Sequence, residues 1–163
     1  MTNRLALRLR TDRLDLKPLV AEDAAAVQAL TDDRAIAGII DFLPVPFTLA
    51  DAQRLIGRND GTGECFFGAW QDGKLTGVVG AHLHGSERIE IGYWIGRAFQ
   101  GEGLATEAAG AVVAALKREF PGRRIIAECR PENLASRRVL EKLGFRATGE
   151  DGARPGRRLL TLP

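Results

Sequence analysis

The pattern of hydrophobic and polar residues predicts that the chain begins with a strand followed by two helices. Leu14 and Leu16 alternate with charged residues, which predicts a strand over residues 7–19. An alanine-rich run predicts a short helix over residues 22–30. A second helix is predicted over residues 48–58, because a threonine followed three residues later by an aspartate is close to a capping box.

Three strands are predicted in the middle of the chain. Residues 65–70 and 75–82 flank Asp72 and Gly73, and an Asp-Gly pair is a strong signal for a tight turn between antiparallel strands. Residues 89–95 are rich in β-branched and aromatic side chains, which favour a third strand.

Helices and strands alternate in the last part. A glycine-bearing loop leads into a helix over residues 103–120, ended by a Pro-Gly pair. A strand over 124–130 and a helix over 133–143, closed by Gly144, precede two short strands. This order predicts one α/β domain spanning residues 1–163, in which helices flank a mixed, mostly antiparallel sheet of about seven strands.

Composition excludes several functional classes. The net charge of the 163 residues is +2, without a basic stripe interleaved with aromatics, so general nucleic-acid binding is not predicted. No apolar run approaches the roughly 20 residues of a membrane helix. The first residues lack the apolar core of a secretory signal, so a cytoplasmic protein is expected. Cys65 and Cys129 lie in separate apolar stretches and are expected to be buried, reduced thiols.

His82 and His84 lie two residues apart and are expected to share one strand face. Two histidines without a suitable third ligand nearby are poor evidence for zinc, so no metal site is predicted. The preferred interpretation is a pair of histidines near an acceptor cleft, where either can help to relay a proton.

The loop after Ile95 is the first segment that carries chemistry. A strand ends there, Gly101 and Gly103 let the backbone approach a ligand closely, and a helix begins at once. The N–H groups and the dipole at a helix N-terminus suit a pyrophosphate. Glycines also precede helices simply to form a turn, so these residues alone leave both interpretations open.

The spacing Gln100-x-x-Gly103-x-Ala105 fits the Arg/Gln-x-x-Gly-x-Gly/Ala signature of the GNAT superfamily of N-acetyltransferases. The chain resembles this family from about residue 7 to its end. Within the family it resembles the Rim-type branch, named for enzymes that acetylate the N-termini of ribosomal proteins. Four stretches carry the resemblance: residues 46–48 (PFT), 90–94 (EIGYW), 103–108 (GLATEA) and 133–145 (NLASRRVLEKLGF).

The resemblance implies that the strands at 89–95 and 124–130 splay apart and hold CoA between them. The amides of the pantetheine arm would pair with the backbone of Tyr93 and Ile95, much as a peptide adds to a sheet edge. Asn133 would hydrogen-bond the same arm. The residues implied to hold the pyrophosphate are Gln100, Gly101, Gly103, Leu104 and Ala105.

Two arginines follow in the next helix. Arg137 or Arg138 can reach the adenosine phosphates, and Arg138 is the preferred candidate. A solvated helix face explains the same two arginines equally well.

The resemblance also implies the reaction, in which a primary amine attacks acetyl-CoA directly in a ternary complex. The acceptor would be a protein N-terminus or a small-molecule amine. An ammonium group must first lose a proton, and relatives in this branch place a glutamate at the strand position of Glu90, the candidate general base. Alternatively, Glu90 is a structural carboxylate that orders a loop or selects a cationic acceptor.

The CoA thiolate that leaves in this reaction needs a hydrogen-bond or proton donor. Many relatives use a tyrosine in the helix after Asn133, where this chain has Leu140. The Rim-type pattern instead puts a serine one turn into the helix, and Ser136 matches it. Ser136 therefore either hydrogen-bonds the sulfur or caps the first helical turn.

Acceptor recognition is expected from residues 38–47 and from the C-terminal hairpin around residues 149–156. Phe42, Leu43 and Phe47 are either lid residues or ordinary core. The hairpin is short for the Rim-type branch, so a ribosomal acceptor does not transfer simply.

Two other functions stay open, and so does the oligomeric state. A catalytically silent acyl-CoA-binding module would keep the cofactor site without turnover. Transfer of an acyl group longer than acetyl is a further alternative, which depends on the space beside the thioester near Trp94. A homodimer is compatible with the sequence.

Overall fold

The chain forms an eight-stranded sheet in the computed structural model, which describes residues 4–40, 42–59, 61 and 63–163. The strands are β1 Leu9–Arg10, β2 Asp15–Pro18, β3 Glu64–Gln71, β4 Lys74–His84, β5 Arg88–Ile95, β6 Arg124–Cys129, β7 Arg146–Asp151 and β8 Arg158–Thr161. The helices are α1 Ala24–Thr31, α2 Arg34–Ala37, α3 Leu49–Gly57, α4 Leu104–Glu119 and α5 Leu134–Lys142, with 3-10 turns at Ala21–Asp23 and Arg97–Phe99.

The strand order is β1-β2-β3-β4-β5-β6-β8-β7. The β5–β6 pair is parallel, and the six other neighbouring pairs of the described sheet are antiparallel. The predicted mixed, mostly antiparallel sheet with flanking helices is therefore confirmed.

The first predicted strand is two strands, which raises the number from about seven to eight. The backbone turns at Thr11, whose N–H donates to the Leu14 carbonyl oxygen at 2.9 Å and whose hydroxyl accepts from the Leu14 N–H at 3.0 Å. β1 then folds back on β2 with Leu9 opposite Leu16. The prediction of one strand over residues 7–19 was wrong because the threonine hydroxyl offers the backbone a local partner in place of the ladder.

Hydrophobic clusters lie on both faces of the sheet. One cluster lies beneath α4 and α5 and includes Ile91, Val112 and Leu140. The other packs against α1 and α3 and includes Val27 and Trp94. None of the described helices is long and apolar enough to cross a membrane.

The segment at 38–47 contributes to both core and surface. Leu43 and Phe47 are buried in the cluster under α1 and α3, whereas Phe42 is 40% exposed. Leu43 and Phe47 are therefore core residues, whereas Phe42 lies at the surface, as a lid residue would. Cys65 and Cys129 are buried free thiols as predicted, and burial raises the pKa of Cys65 to about 12.

β5 and β6 separate part-way along their length. Their register runs from Arg88 opposite Arg124 to Glu90 opposite Ile126, and in the described sheet β5 continues to Ile95 without β6 beside it. We call the space between the two strands beyond Glu90 the β5–β6 gap. It is the splay that the family resemblance implied.

The capping box predicted at the start of α3 is formed. The Thr48 hydroxyl oxygen accepts from the Asp51 N–H at 3.1 Å, and the Asp51 carboxylate accepts from the Thr48 N–H at 2.8 Å. These bonds satisfy two donors that the first helical turn leaves without an intrahelical partner.

We expect Thr48→Ala to lower the free energy of unfolding by about 1 kcal/mol, because one of these donors loses its acceptor. Urea denaturation followed by circular dichroism measures the change. Thr48→Ser is the matched control, since it retains the hydroxyl and should stay close to the parent. Equal unfolding free energies for Thr48→Ala and the parent would contradict a stabilising cap.

Candidate active site

Two cavities meet at the β5–β6 gap. The larger, of about 540 Å³, runs from the gap to the start of α4. The smaller, of about 80 Å³, lies between the segment at 38–47 and the C-terminal hairpin formed by β7, β8 and their connection. Tyr93, Trp94, Asn133 and Ser136 line both cavities, so the two spaces adjoin at these side chains.

The larger cavity contains every residue that the sequence implied for CoA. These nine lining residues are Tyr93, Ile95, Gln100, Gly101, Gly103, Leu104, Ala105, Asn133 and Arg138. They come from one strand, one loop and the first turns of two helices, which the fold brings to a single opening.

The free edge of β5 presents backbone groups to this cavity. The Gly96 N–H donates to the Thr76 carbonyl oxygen at 2.9 Å and so faces β4. Because backbone groups alternate in direction along a strand, those of Tyr93 and Ile95 face the β5–β6 gap. The Ile95 carbonyl oxygen already accepts from the Gln100 side-chain amide at 2.9 Å. Gln100, predicted at the pyrophosphate, therefore also fastens the loop to the strand.

The loop before α4 has the conformation that its glycines were expected to allow. Gly101 and Gly103 have φ values of 82° and 78°, in the left-handed region that favours glycine. A Cβ atom at Gly101 would meet nothing within 4 Å, and one at Gly103 would lie 3.6 Å from Arg13. The loop thus leaves the N-terminus of the 16-residue helix α4 accessible, and this cradle fits a pyrophosphate.

An N-terminal brace holds this loop, and sequence reasoning missed it. Arg13 donates from Nη1 to the Glu102 carbonyl oxygen at 2.8 Å and from Nε to Glu107 Oε1 at 3.0 Å. The Thr11 hydroxyl donates to Glu107 Oε2 at 2.8 Å. Burial opposes the charge on Glu107, but these hydrogen bonds hold its pKa below the ordinary value. No local pattern reveals partners more than 90 residues apart.

The cap of α5 is Asn133 rather than Ser136. Asn133 Oδ1 accepts from the Ser136 N–H at 3.2 Å, so the capping alternative for the Ser136 side chain is wrong. The Ser136 hydroxyl lies instead 3.0 Å from the Tyr93 hydroxyl. Leu140, at the position where many relatives have a tyrosine, is buried in the core.

The two arginines of α5 point to different surroundings. Arg138 lines the larger cavity together with Lys142, a cation that was not predicted there from the sequence. Arg137 is paired with Glu141, with Nε 3.0 Å from Oε1. Of the two arginines, Arg138 is therefore the one that faces the larger cavity.

Glu90 lines the smaller cavity and is only 8% exposed. Its Oε1 lies 2.8 Å from His84 Nε2, and its Oε2 is ion-paired with Arg154 of the hairpin. Arg154 Nε also lies 3.4 Å from an oxygen of Glu128, a nearly buried carboxylate on β6. Arg154 therefore bridges the two strands that separate.

The two histidines have different carboxylate partners. His82 Nδ1 lies 3.0 Å from Glu64, whereas His84 contacts Glu90. Burial lowers the pKa of His82, which favours the neutral ring at pH 7. Within the described ranges, no three His, Cys, Asp or Glu side chains are grouped to hold a metal ion.

Comparison with known proteins identifies the family. Residues 13–146 match the family model described as an acetyltransferase (GNAT) domain. The chain belongs to the GNAT family. The predicted superfamily is therefore confirmed, and this GNAT protein is an N-acetyltransferase with acetyl-CoA as acyl donor.

Individual relatives agree with this assignment. The chain is 31% identical over 147 residues to the uncharacterized N-acetyltransferase YnaD of Bacillus subtilis, covering 88% of this chain and 85% of YnaD. A GNAT acetyltransferase from Bacillus anthracis superposes with a TM-score of 0.84 and 28% identity over 96% and 98% of the two chains. RimJ of Mycobacterium smegmatis, solved in complex with a CoA disulfide, gives a TM-score of 0.78 and 25% identity over 91% and 81%. The similarity to RimJ supports the predicted Rim-type branch.

The N-terminal brace generates a prediction about cofactor affinity. We expect Arg13→Gln to raise the Kd of CoA about tenfold or more, because charged hydrogen bonds that fix the loop are lost. Isothermal titration calorimetry measures the Kd. Arg10→Gln is the control, since Arg10 pairs with the exposed Asp15 at the surface and should not affect the Kd. An unchanged Kd in Arg13→Gln would contradict the brace.

Proposed function

We propose that this GNAT enzyme acetylates a primary amine, either a protein N-terminus or a small-molecule amine, by direct attack within a ternary complex. The observation that supports this proposal is the junction of the two cavities at Tyr93 and Ser136. The larger cavity suits the acyl donor and the smaller one, with Glu90 in its wall, suits the amine. Holding both reactants at one junction supplies much of the catalysis that such a transfer needs.

Acetyl-CoA supplies the activated acetyl thioester. We assign its pantetheine arm to the backbone of Tyr93 and Ile95 and to Asn133, all of which line the larger cavity. The loop at 100–105 is assigned to the pyrophosphate. Arg138 is assigned to the adenosine phosphates, because it is the α5 arginine that faces this cavity.

Glu90 is the proposed general base. It is buried in the wall of the smaller cavity, and its contact with His84 links it to a side chain that is 45% exposed. A proton accepted by Glu90 thus has a short route to solvent through His84. The Arg154 ion pair supports the structural alternative, in which Glu90 anchors the C-terminal hairpin.

The shape of the acceptor side bears on the size of the amine. A cavity of about 80 Å³ admits the amine end of an acceptor but not a bulky body. The exposed side chains of Ile39 and Phe42 line the same cavity, so an adjoining apolar portion of the acceptor would contact them. Arg157 Nη2 donates to the Ile39 carbonyl oxygen at 3.1 Å, which joins the hairpin to this rim.

Thiol release from acetyl-CoA tests the proposed reaction. The panel contains peptides with free N-termini, the same peptides N-terminally blocked, polyamines, amino acids and aminoglycosides. We expect turnover with at least one class, and loss of turnover on blocking would identify the α-amine as acceptor. CoA binding without turnover across the panel would instead support a silent binding module. Faster turnover with longer acyl-CoAs would contradict acetyl as the group transferred.

The proposed base predicts a particular dependence on pH. Glu90→Gln should lower kcat/KM at neutral pH by about 10²–10⁴-fold and recover partly at alkaline pH, where more of the amine is already neutral. A pH–rate profile of both proteins measures this. Glu64→Gln is the control, because Glu64 also pairs with a histidine and an arginine but does not line the smaller cavity. A uniform loss at all pH values, with weaker acceptor binding, would favour the structural role.

A further inference from the structure

The side chain of Tyr93 makes contacts that its backbone role does not explain. Tyr93 is the only tyrosine of the chain. Its hydroxyl reaches from β5 to α5, where it donates to the Ser136 carbonyl oxygen at 3.0 Å and lies 3.0 Å from Ser136 Oγ. Both side chains line the junction of the two cavities, where the reacting thioester must lie under the proposed function.

We propose that Tyr93 is a positioning residue whose phenol directs the Ser136 hydroxyl at the sulfur of the departing CoA thiolate. The proposal rests on the proposed function, in which Ser136 hydrogen-bonds this sulfur. In many relatives a tyrosine on the helix after Asn133 is placed near the sulfur, and this chain has Leu140 at that position. The phenol of Tyr93 comes instead from strand β5.

The hydroxyl protons of Tyr93 and Ser136 determine which group donates in their contact. The Tyr93 hydroxyl has one proton, and while that proton goes to the Ser136 carbonyl oxygen, Ser136 Oγ must be the donor in the contact between the hydroxyls. When a thiolate lies at the junction, the Ser136 proton turns to the sulfur and the Tyr93 proton turns to Oγ. Each hydroxyl then polarises the next, and a hydrogen bond to a charged acceptor is stronger than one between neutral groups.

The phenol keeps its proton throughout this rearrangement. Burial raises the pKa of Tyr93 well above its ordinary value, because a phenolate would lie in a poorly solvated place. Tyr93 is therefore a lasting hydrogen-bond donor and not the source of the proton that the thiolate finally takes up.

A purely structural role makes a different prediction. The Tyr93–Ser136 contact also links α5 to β5 across the β5–β6 gap, so its loss lowers stability whether or not it directs a proton. Only the positioning role changes the protonation of a bound thiol. The decisive measurement is therefore the pKa of the thiol of CoA bound to the enzyme. It is followed by the ultraviolet absorbance of the thiolate, taken as the difference between enzyme with and without CoA, because the Cys129 thiol also contacts Ser136.

Four variants separate the two roles. Tyr93→Phe removes the phenol oxygen, Ser136→Ala removes its partner, and the double variant completes the cycle. Thr76→Val is the matched control, because Thr76 is buried in β4 and donates its hydroxyl proton to the Ala69 carbonyl oxygen at 3.0 Å, outside both cavities. Melting temperature and the Kd of CoA are recorded for all four.

We expect Tyr93→Phe to raise the pKa of the bound thiol and to lower kcat about tenfold, the effect of one hydrogen bond in the transition state. At a pH well below the pKa of the bound thiol, the Kd of CoA should change less than about twofold, because the pair stabilises the thiolate and not the protonated thiol. In the Ser136→Ala background, Tyr93→Phe should have little further effect on either quantity. Thr76→Val should lower only the melting temperature.

Equal effects of Tyr93→Phe with and without Ser136 would overturn the proposal, as would a bound-thiol pKa that it leaves unchanged. If Tyr93→Phe does not fold, the decision rests on Ser136→Ala. An unchanged pKa of the bound thiol in that variant would show that Ser136 does not hydrogen-bond the sulfur, and the proposal would then be overturned. The titration requires CoA but no acceptor amine. Its failure is therefore distinguishable from failure of the proposed acetyl transfer.

Discussion

The separation of β5 and β6 after Glu90 is the constraint on which the rest of the site depends. A strand inside a sheet must satisfy its backbone donors and acceptors on both sides, and beyond Glu90 the groups facing β6 have no ladder. One of these backbone groups has a partner nearby, since the Gln100 side-chain amide donates to the Ile95 carbonyl oxygen. The remaining edge offers backbone groups with which an amide-bearing ligand can complete the sheet.

Neighbouring elements turn this incomplete edge into a defined site. Leu104, Ala108 and Val112 bury one side of α4 against the sheet, which fixes the direction of its N-terminus. The turn between β1 and β2 braces the loop before α4, and Asn133 starts α5 on the other side of the opening. The binding groups are thus held by regular elements and their caps, which favours precise placement.

Much of this arrangement could be predicted from the sequence, and what was missed has a physical explanation. The loop at 100–105 and the cap region at Asn133 are continuous stretches, so their residues reach one cavity whenever the strand–loop–helix units form. Arg13 with Glu107 and Glu90 with Arg154 are contacts between distant parts of the chain, which no local pattern reveals. Asn133 and Ser136 are both polar and three residues apart, so only the backbone geometry decides which one caps α5.

The bridge formed by Arg154 has a consequence for how this enzyme can diversify. The larger cavity, which is the proposed cofactor site, is built from central elements of the fold, whereas one wall of the smaller cavity, the proposed acceptor site, comes from the last hairpin. Arg154 connects that hairpin to carboxylates on both β5 and β6. Exchange of the hairpin between homologues would therefore change the smaller cavity and leave the larger one intact, provided that the incoming segment again supplies a cation to these two carboxylates. Under the proposed function, the range of acceptors would change in this way without a change in the binding of CoA.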